Sequence, residues 1–313
     1  MGDHDPPRSL DALLQIPSYR TNAVQLGRFV IGERIARGAT TVVVEADDPR
    51  HGRVALQLVR PLDDPPEARA ARIRAAVLHI RHPHVVQVFD VGVVEGHVYV
   101  AMERLRGTTL AELLRLRRMT DWREVLQVFR AAALGLFELH RRGHVHCDFT
   151  ASSVFVGDAG QVHLVAFTAV RPAGATRVPP GNVSSTPLEV MEGAEVDPRA
   201  DQFSLCVALY TALYAAPPFA GTTATVVWQA MADETVETPV EFQYGPPPAL
   251  FAVLRRGMKA RPAERWRDLI QLLQEIDRLV PEGSTGVGNT TTIAATMATV
   301  ILLGTMIRVC ASS

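Results

Sequence analysis

The sequence predicts an α+β fold in two lobes, a β-rich small lobe with one helix and a mostly α large lobe, and three observations support this. Residues 28–60 alternate or run apolar (FVIGERI, TTVVVEA, RVALQLV) with Gly, Asp and Pro between the runs, the pattern of an antiparallel meander. A helical stretch at about 66–80 stops at Arg81-His82-Pro83, as a following proline requires, and two more strands, VVQVFDVG and HVYVAME, come after it. From Thr108 the apolar residues recur at helical spacing, in TLAELLRLRR and then in WREVLQVFRAAALGLFELHRRG.

Taken in order, residues 1–27 form a Pro-bearing, weakly periodic arm with one short helix expected at 10–15. The small lobe occupies 28–106, with five strands and one helix. The large lobe occupies 107–280: helices, a hairpin turning at Gly157-Asp158-Ala159-Gly160, a Pro/Gly-rich loop at 171–185, the apolar helix ADQFSLCVALYTALY and further helices to about 279. A linker at 281–289 leads to a hydrophobic C-terminal segment, 290–309. No charged residue lies between Glu282 and Arg308, and the run approaches the ~20 residues that a bilayer needs, so it is a candidate transmembrane helix. A threonine-rich tail, or an amphipathic helix docked on the protein, is the alternative.

Composition narrows the function. The 313 residues suffice for two lobes, and 47% hydrophobic with 21% charged residues is ordinary for a folded chain. A net charge of −1 without a dense basic cluster argues against nucleic acid as a partner. Three cysteines far apart, Cys147, Cys206 and Cys310, lack metal-ligand spacing and suit a reducing compartment, so a cytoplasmic location is expected. The start MGDHDPPRSL has no signal-peptide pattern. No metal site is read from spacing.

One junction carries chemistry. His146-Cys147-Asp148 follows the long helix, Ala166-Phe167-Thr168 follows the hairpin, and PLEVMEG, ADQFS and RPAERW come after at intervals that stay in register over more than a hundred residues. On these residues positions 28–280 resemble the protein kinases, specifically the bacterial eukaryotic-like Ser/Thr kinases. The resemblance implies Asp148 as the base for a substrate hydroxyl, and His146 with Phe167 as the apolar stack that joins the lobes. It implies Glu189 with Arg261 as the buried ion pair of the large lobe, and Asp201 at a helix start. It also implies a nucleotide slot from Ile35, Gly38, Val43, Ala55 and Gln57 in the small lobe, Met102, Glu103 and Leu105 at the hinge, and Phe155 as its floor.

Departures from the family pattern are concentrated where the reaction needs charge. Phosphoryl transfer asks for positioning and for cations around the phosphates. Gln57 stands where the family has its phosphate-holding lysine, and Ile73 where it has the glutamate partner. Cys147 replaces the arginine that reads a phosphorylated loop, Ser153 the metal-holding asparagine, and Ala166 the metal-holding aspartate. A relocated lysine is excluded by composition, since Lys259 is the only one, far along the chain. The expectation is a catalytically impaired kinase-like domain, a pseudokinase, tethered to the cytoplasmic side of the membrane by its C-terminal helix. It would bind other proteins, such as an active kinase or a signalling substrate, and require no cofactor. The alternative is an enzyme that binds ATP weakly or without metal and transfers phosphate in an atypical way.

Overall fold

The computed structural model describes residues 24–38, 40–60, 64–179, 181–239 and 245–280. Six strands make an antiparallel sheet in the order β1-β2-β3-β4-β6-β5: β1 (Val24–Leu26), β2 (Phe29–Arg37), β3 (Thr41–Asp48), β4 (Gly52–Val59), β5 (Val88–Val94) and β6 (His97–Met102). The alternation in β4 explains why the sheet has two working faces. Val54, Leu56 and Leu58 pack outward with Phe29, Val44 and Ala101, while Ala55 and Val59 point inward to the main core with Val98, Val100 and Met102.

The helix of this lobe, α1 (Pro66–Val77), begins with Pro66 in its first turn and buries Ala70, Ile73, Ala76 and Val77 in that inner core. One strand was not expected: β1 lies inside the 1–27 arm and pairs through Val24↔Ile31 and Leu26↔Phe29. Three residues are too few to register as alternation, so the small lobe has six strands where the sequence predicts five.

The large lobe is built on α3 (Trp122–Arg141), capped by Asp121 Oδ1 accepting from the Arg123 N–H, with a short α2 (Leu110–Arg115) before it. Two small sheets follow: β7 (Gly107–Thr109), β9 (Val154–Gly157) and β10 (Val162–Leu164) in the order β10-β9-β7, and β8 (His144–Val145) with β11 (Arg171–Pro172). Then come α4 (Leu188–Met191), α5 (Pro198–Tyr214), α6 (Ala224–Ala232), α7 (Pro248–Gly257) and α8 (Leu269–Leu279). Nearly every residue of α5 from Ala200 to Tyr210 is buried, the polar Asp201, Gln202 and Ser204 among them.

The lobes meet where the chain entering β5 crosses α3. Leu164 N donates to His84 O at 2.9 Å, and Val86 N donates to Leu164 O at 3.1 Å. Gly135 in α3 makes room for this: a Cβ there would lie 2.3 Å from His84 O. Among the described residues no helix is long and apolar enough to cross a membrane. The expected helix at 10–15, the linker at 281–289 and the candidate span at 290–309 lie outside the described residues.

Candidate functional site

The loop after β8 is held by one buried carboxylate. Asp201, in the first turn of α5 and 1% exposed, accepts from the His146 N–H at 2.7 Å and the Cys147 N–H at 2.9 Å, and pairs with His140 Nε2 at 2.8 Å. Burial alone would raise its pKa. The His140 bond, the charges of His140 and His146 and the His146 N–H outweigh that and hold it below the ordinary carboxylate value. Tied in this way, Cys147 takes a left-handed backbone (φ 65°) and the chain turns sharply into Asp148. His146 is fully buried, donates from Nε2 to Val165 O at 3.1 Å, and lies edge-on to Phe167 and Phe149.

Asp148 itself is half-buried against residues 181 and 182. Burial pushes its carboxyl above the ordinary value, and the Asp201 charge adds to this, while His146 and the Asn182 N–H oppose it. The approach is close enough that a Cβ on Gly181 would sit 2.3 Å from Asp148 Oδ1. The acid is therefore set to hold a proton more readily than an exposed aspartate would.

Four other positions at which the family pattern has charge or a metal ligand carry no charge. Ser153 is 3% exposed, and its Oγ donates to Asp148 O at 3.0 Å and accepts from the Thr150 N–H at 3.3 Å, which leaves a single lone pair. Ala166 precedes a 3-10 turn (Phe167–Ala169) in a left-handed conformation, φ 68° and ψ 55°, and offers no donor atom. Gln57 is buried in β4 between cross-strand neighbours Val43 and Val100, and Ile73 is fully buried in the core. This donor set does not fit a pair of hard divalent cations, which take carboxylate and other oxygen ligands. Among the described residues no group of three or more His, Cys, Asp or Glu side chains could hold a metal ion.

With this geometry in view, the comparisons decide the family: residues 29–278 match the protein kinase domain. The chain belongs to the protein kinase family. Its relatives are bacterial eukaryotic-like Ser/Thr kinases. The serine/threonine-protein kinase PknL of Mycobacterium tuberculosis is 30% identical over 264 residues, covering 82% of this chain and 66% of PknL. PknD of the same species is 30% identical over 266 residues, covering 82% of this chain and 39% of PknD. A probable serine/threonine-protein kinase of Streptomyces coelicolor is 28% identical over 279 residues, covering 83% and 41%. The chain thus spans less than two thirds of the length of these kinases.

Within the kinase fold the residues expected to line a nucleotide slot are distributed over β2, β3 and the turn between them, β4, β6, the segment after β6, and β9. Val43, Ala55 and Met102 lie in neighbouring strands, with Ala55↔Met102 in register, and Ile35 is 39% exposed. Gly38 N donates to Thr41 O at 2.8 Å and closes the β2–β3 turn. Glu103 N donates to Gln87 O at 2.8 Å, Leu105 is half-buried, and Phe155 lies in β9 opposite Thr109 and His163.

One expected pairing is corrected. Glu189 is bound by Arg265, through Nη1 to Oε1 at 2.6 Å and Nη2 to Oε2 at 2.9 Å, a bidentate contact with both side chains almost fully buried. Arg261 is 84% exposed and, among the described residues, pairs with Glu264 alone, at 3.9 Å. The 3-10 turn Pro262–Glu264 carries the chain inward by one turn, so the arginine next to buried Trp266 enters the core.

A second cluster has no counterpart in the sequence reading. Arg72 of α1 donates from Nε to Val170 O at 3.1 Å and pairs with Asp64 at 2.8 Å. Arg69 and Arg171 approach the same carboxylate oxygen at 3.6 and 3.8 Å. Three guanidinium groups from both lobes share one acid. The Arg72 bond holds Asp64 below its ordinary pKa, while burial and the Arg72 charge lower that of Arg171. The only trace in the sequence is Asp64 just ahead of an arginine-rich helix, and nothing in that spacing points to Arg171.

Proposed function

We propose that this chain is a kinase-like domain that transfers phosphate poorly and acts by binding partner proteins. The observation that carries this reading is the spent or missing donor set, with Gln57, Ser153 and Ala166 at three charge-handling positions and the Ser153 hydroxyl committed to the Asp148 loop. Each 1.36 kcal/mol of lost transition-state stabilisation costs about tenfold in rate, and three contributors are gone together. A kinase scaffold without them suits a surface that other proteins recognise, an active kinase or a signalling substrate among them. The location proposed is the cytoplasmic face of the cell membrane, with residues 290–309 as the anchor, a reading supported only by the apolar run without charge between Glu282 and Arg308. No cofactor is required, and any ATP bound would be held weakly or without metal.

The test is phosphate transfer by the full-length chain, given ATP with magnesium or manganese. Little or no transfer is expected. Turnover that disappears in Asp148→Asn would overturn the proposal and support the second reading, weak atypical phosphotransfer. That alternative has one observation in its favour: Asp148 is in place, with the Asn182 N–H on its carboxylate.

A further inference from the structure

A cavity of ≈ 660 Å³ opens beside Asp148, under the loop at 182–185 and between α2, the start of α3 and the second half of α5. It is much larger than the ~30 Å³ share of one water molecule and within the ~300–1,000 Å³ range of sites that enclose a ligand. Its wall is apolar, made by buried Met119, Val125 and Val207 and half-buried Trp122. The space exists because the facing residues are small, Ser185 from the loop and Ala208 and Ala212 from α5. The Trp122 indole Nε1 has no hydrogen-bond partner among the described residues.

The rim has a different character. Thr150, Asn182 and Ser184 lie along it, and Asn182 also donates its N–H to Asp148, so the cavity and the Asp148 site are continuous. The lining holds a single charged residue, Arg117, which is exposed, takes a left-handed backbone (φ 51°) after α2, and meets no carboxylate among the described residues. An apolar recess with one unneutralised cation at its mouth is complementary to a bulky apolar group with an acid beside it. The hydroxyls and amide of the rim choose between sources of such a ligand. A polypeptide backbone can pair with them, whereas an alkyl chain would leave them unpaired at a cost.

We propose that this cavity is a docking pocket for a segment of a partner protein that places a large apolar side chain, such as Phe or Leu, in the recess and an Asp or Glu against Arg117. The proposal deepens the reading of the chain as a partner-binding domain. It is tested without nucleotide, so a finding of phosphate transfer would defeat that reading and leave this one standing.

The full-length chain is titrated with fluorescein-labelled Gly/Ser dodecapeptides whose central Phe is flanked by two Glu, two Gln or two Lys, and binding is read by fluorescence polarisation. The Glu-flanked peptide should bind at least about tenfold more tightly than the Lys-flanked one, a difference of ~1.4 kcal/mol. Replacing its Phe by Gly should lose a comparable factor. Arg117→Glu should reverse the order of the charged peptides, and Ala208→Trp should fill the recess and abolish binding. Arg117 is exposed, so its variant keeps the test decisive if Ala208→Trp does not fold. Equal binding of all three peptides, no binding, or an unchanged order in Arg117→Glu overturns the proposal. Binding of dodecanoate in their place overturns it in favour of a lipid-like ligand.

Discussion

At single positions the chain carries costs that a neighbour or a change of residue would relieve. Ala166 is the clearest, since a left-handed backbone costs a residue with a Cβ roughly 1 kcal/mol that glycine escapes. Ala166→Gly should therefore raise stability to urea by about 1 kcal/mol or somewhat less, and an unchanged or lower midpoint would mean that Ala166 packs usefully there. The corrected ion pair gives a sharper contrast. Arg265→Ala strands the buried Glu189 carboxylate and should cost ~3–5 kcal/mol, whereas Arg261→Ala, at an exposed site, should stay within about 0.5 kcal/mol. Comparable losses from the two would contradict the assignment. The sequence contains both arginines four residues apart, and only the path of the 3-10 turn between them decides which one is buried. By contrast His146 meets Phe167 edge-on across a single short hairpin, whereas Asp201 meets the same loop from 55 residues farther along the chain, a contact that no local pattern displays.

Among the elements, α1 is fastened in an unusual way. Its inward face is hydrocarbon at Ile73, and its hold on the large lobe comes from Arg72 bonding the Val170 carbonyl while Asp64 gathers Arg69, Arg72 and Arg171. Removing that acid leaves three like charges crowded together. Asp64→Asn should speed amide hydrogen exchange in residues 66–77 and 167–172 while the exchange of α5 stays as it was; protection that does not change would show the cluster to be incidental. The strands and helices themselves were readable from alternation and period. What escaped was contact at long range, such as Arg171 reaching residue 64, and the three-residue β1, which has no pattern of its own and exists through its pairing with β2. The cavity by Asp148 was hidden for a similar reason, since small residues at 185, 208 and 212 signify a hollow only once the loop and α5 are seen to face each other.

For the whole molecule, the seam between the lobes makes stability depend on pH. Burial holds His82 down at about 4, with the His84 and Arg141 charges adding and Glu138 opposing. Burial also lowers His84, where His163 adds and the bond to Val162 O opposes, and lowers His163, where Glu103 opposes. The unfolded chain binds protons on these rings near their ordinary ~6.5, and the folded one resists until lower pH. Stability should thus fall as pH drops from about 7 to about 5, and His82→Asn should flatten part of the decline. A melting temperature constant over that interval would contradict the burial of these rings. The Asp64 cluster has one more consequence at this scale. Because the acid and its three arginines come from both sides of the seam, loosening of α1 and loosening of β11 become one event, and a probe placed on either should report the other.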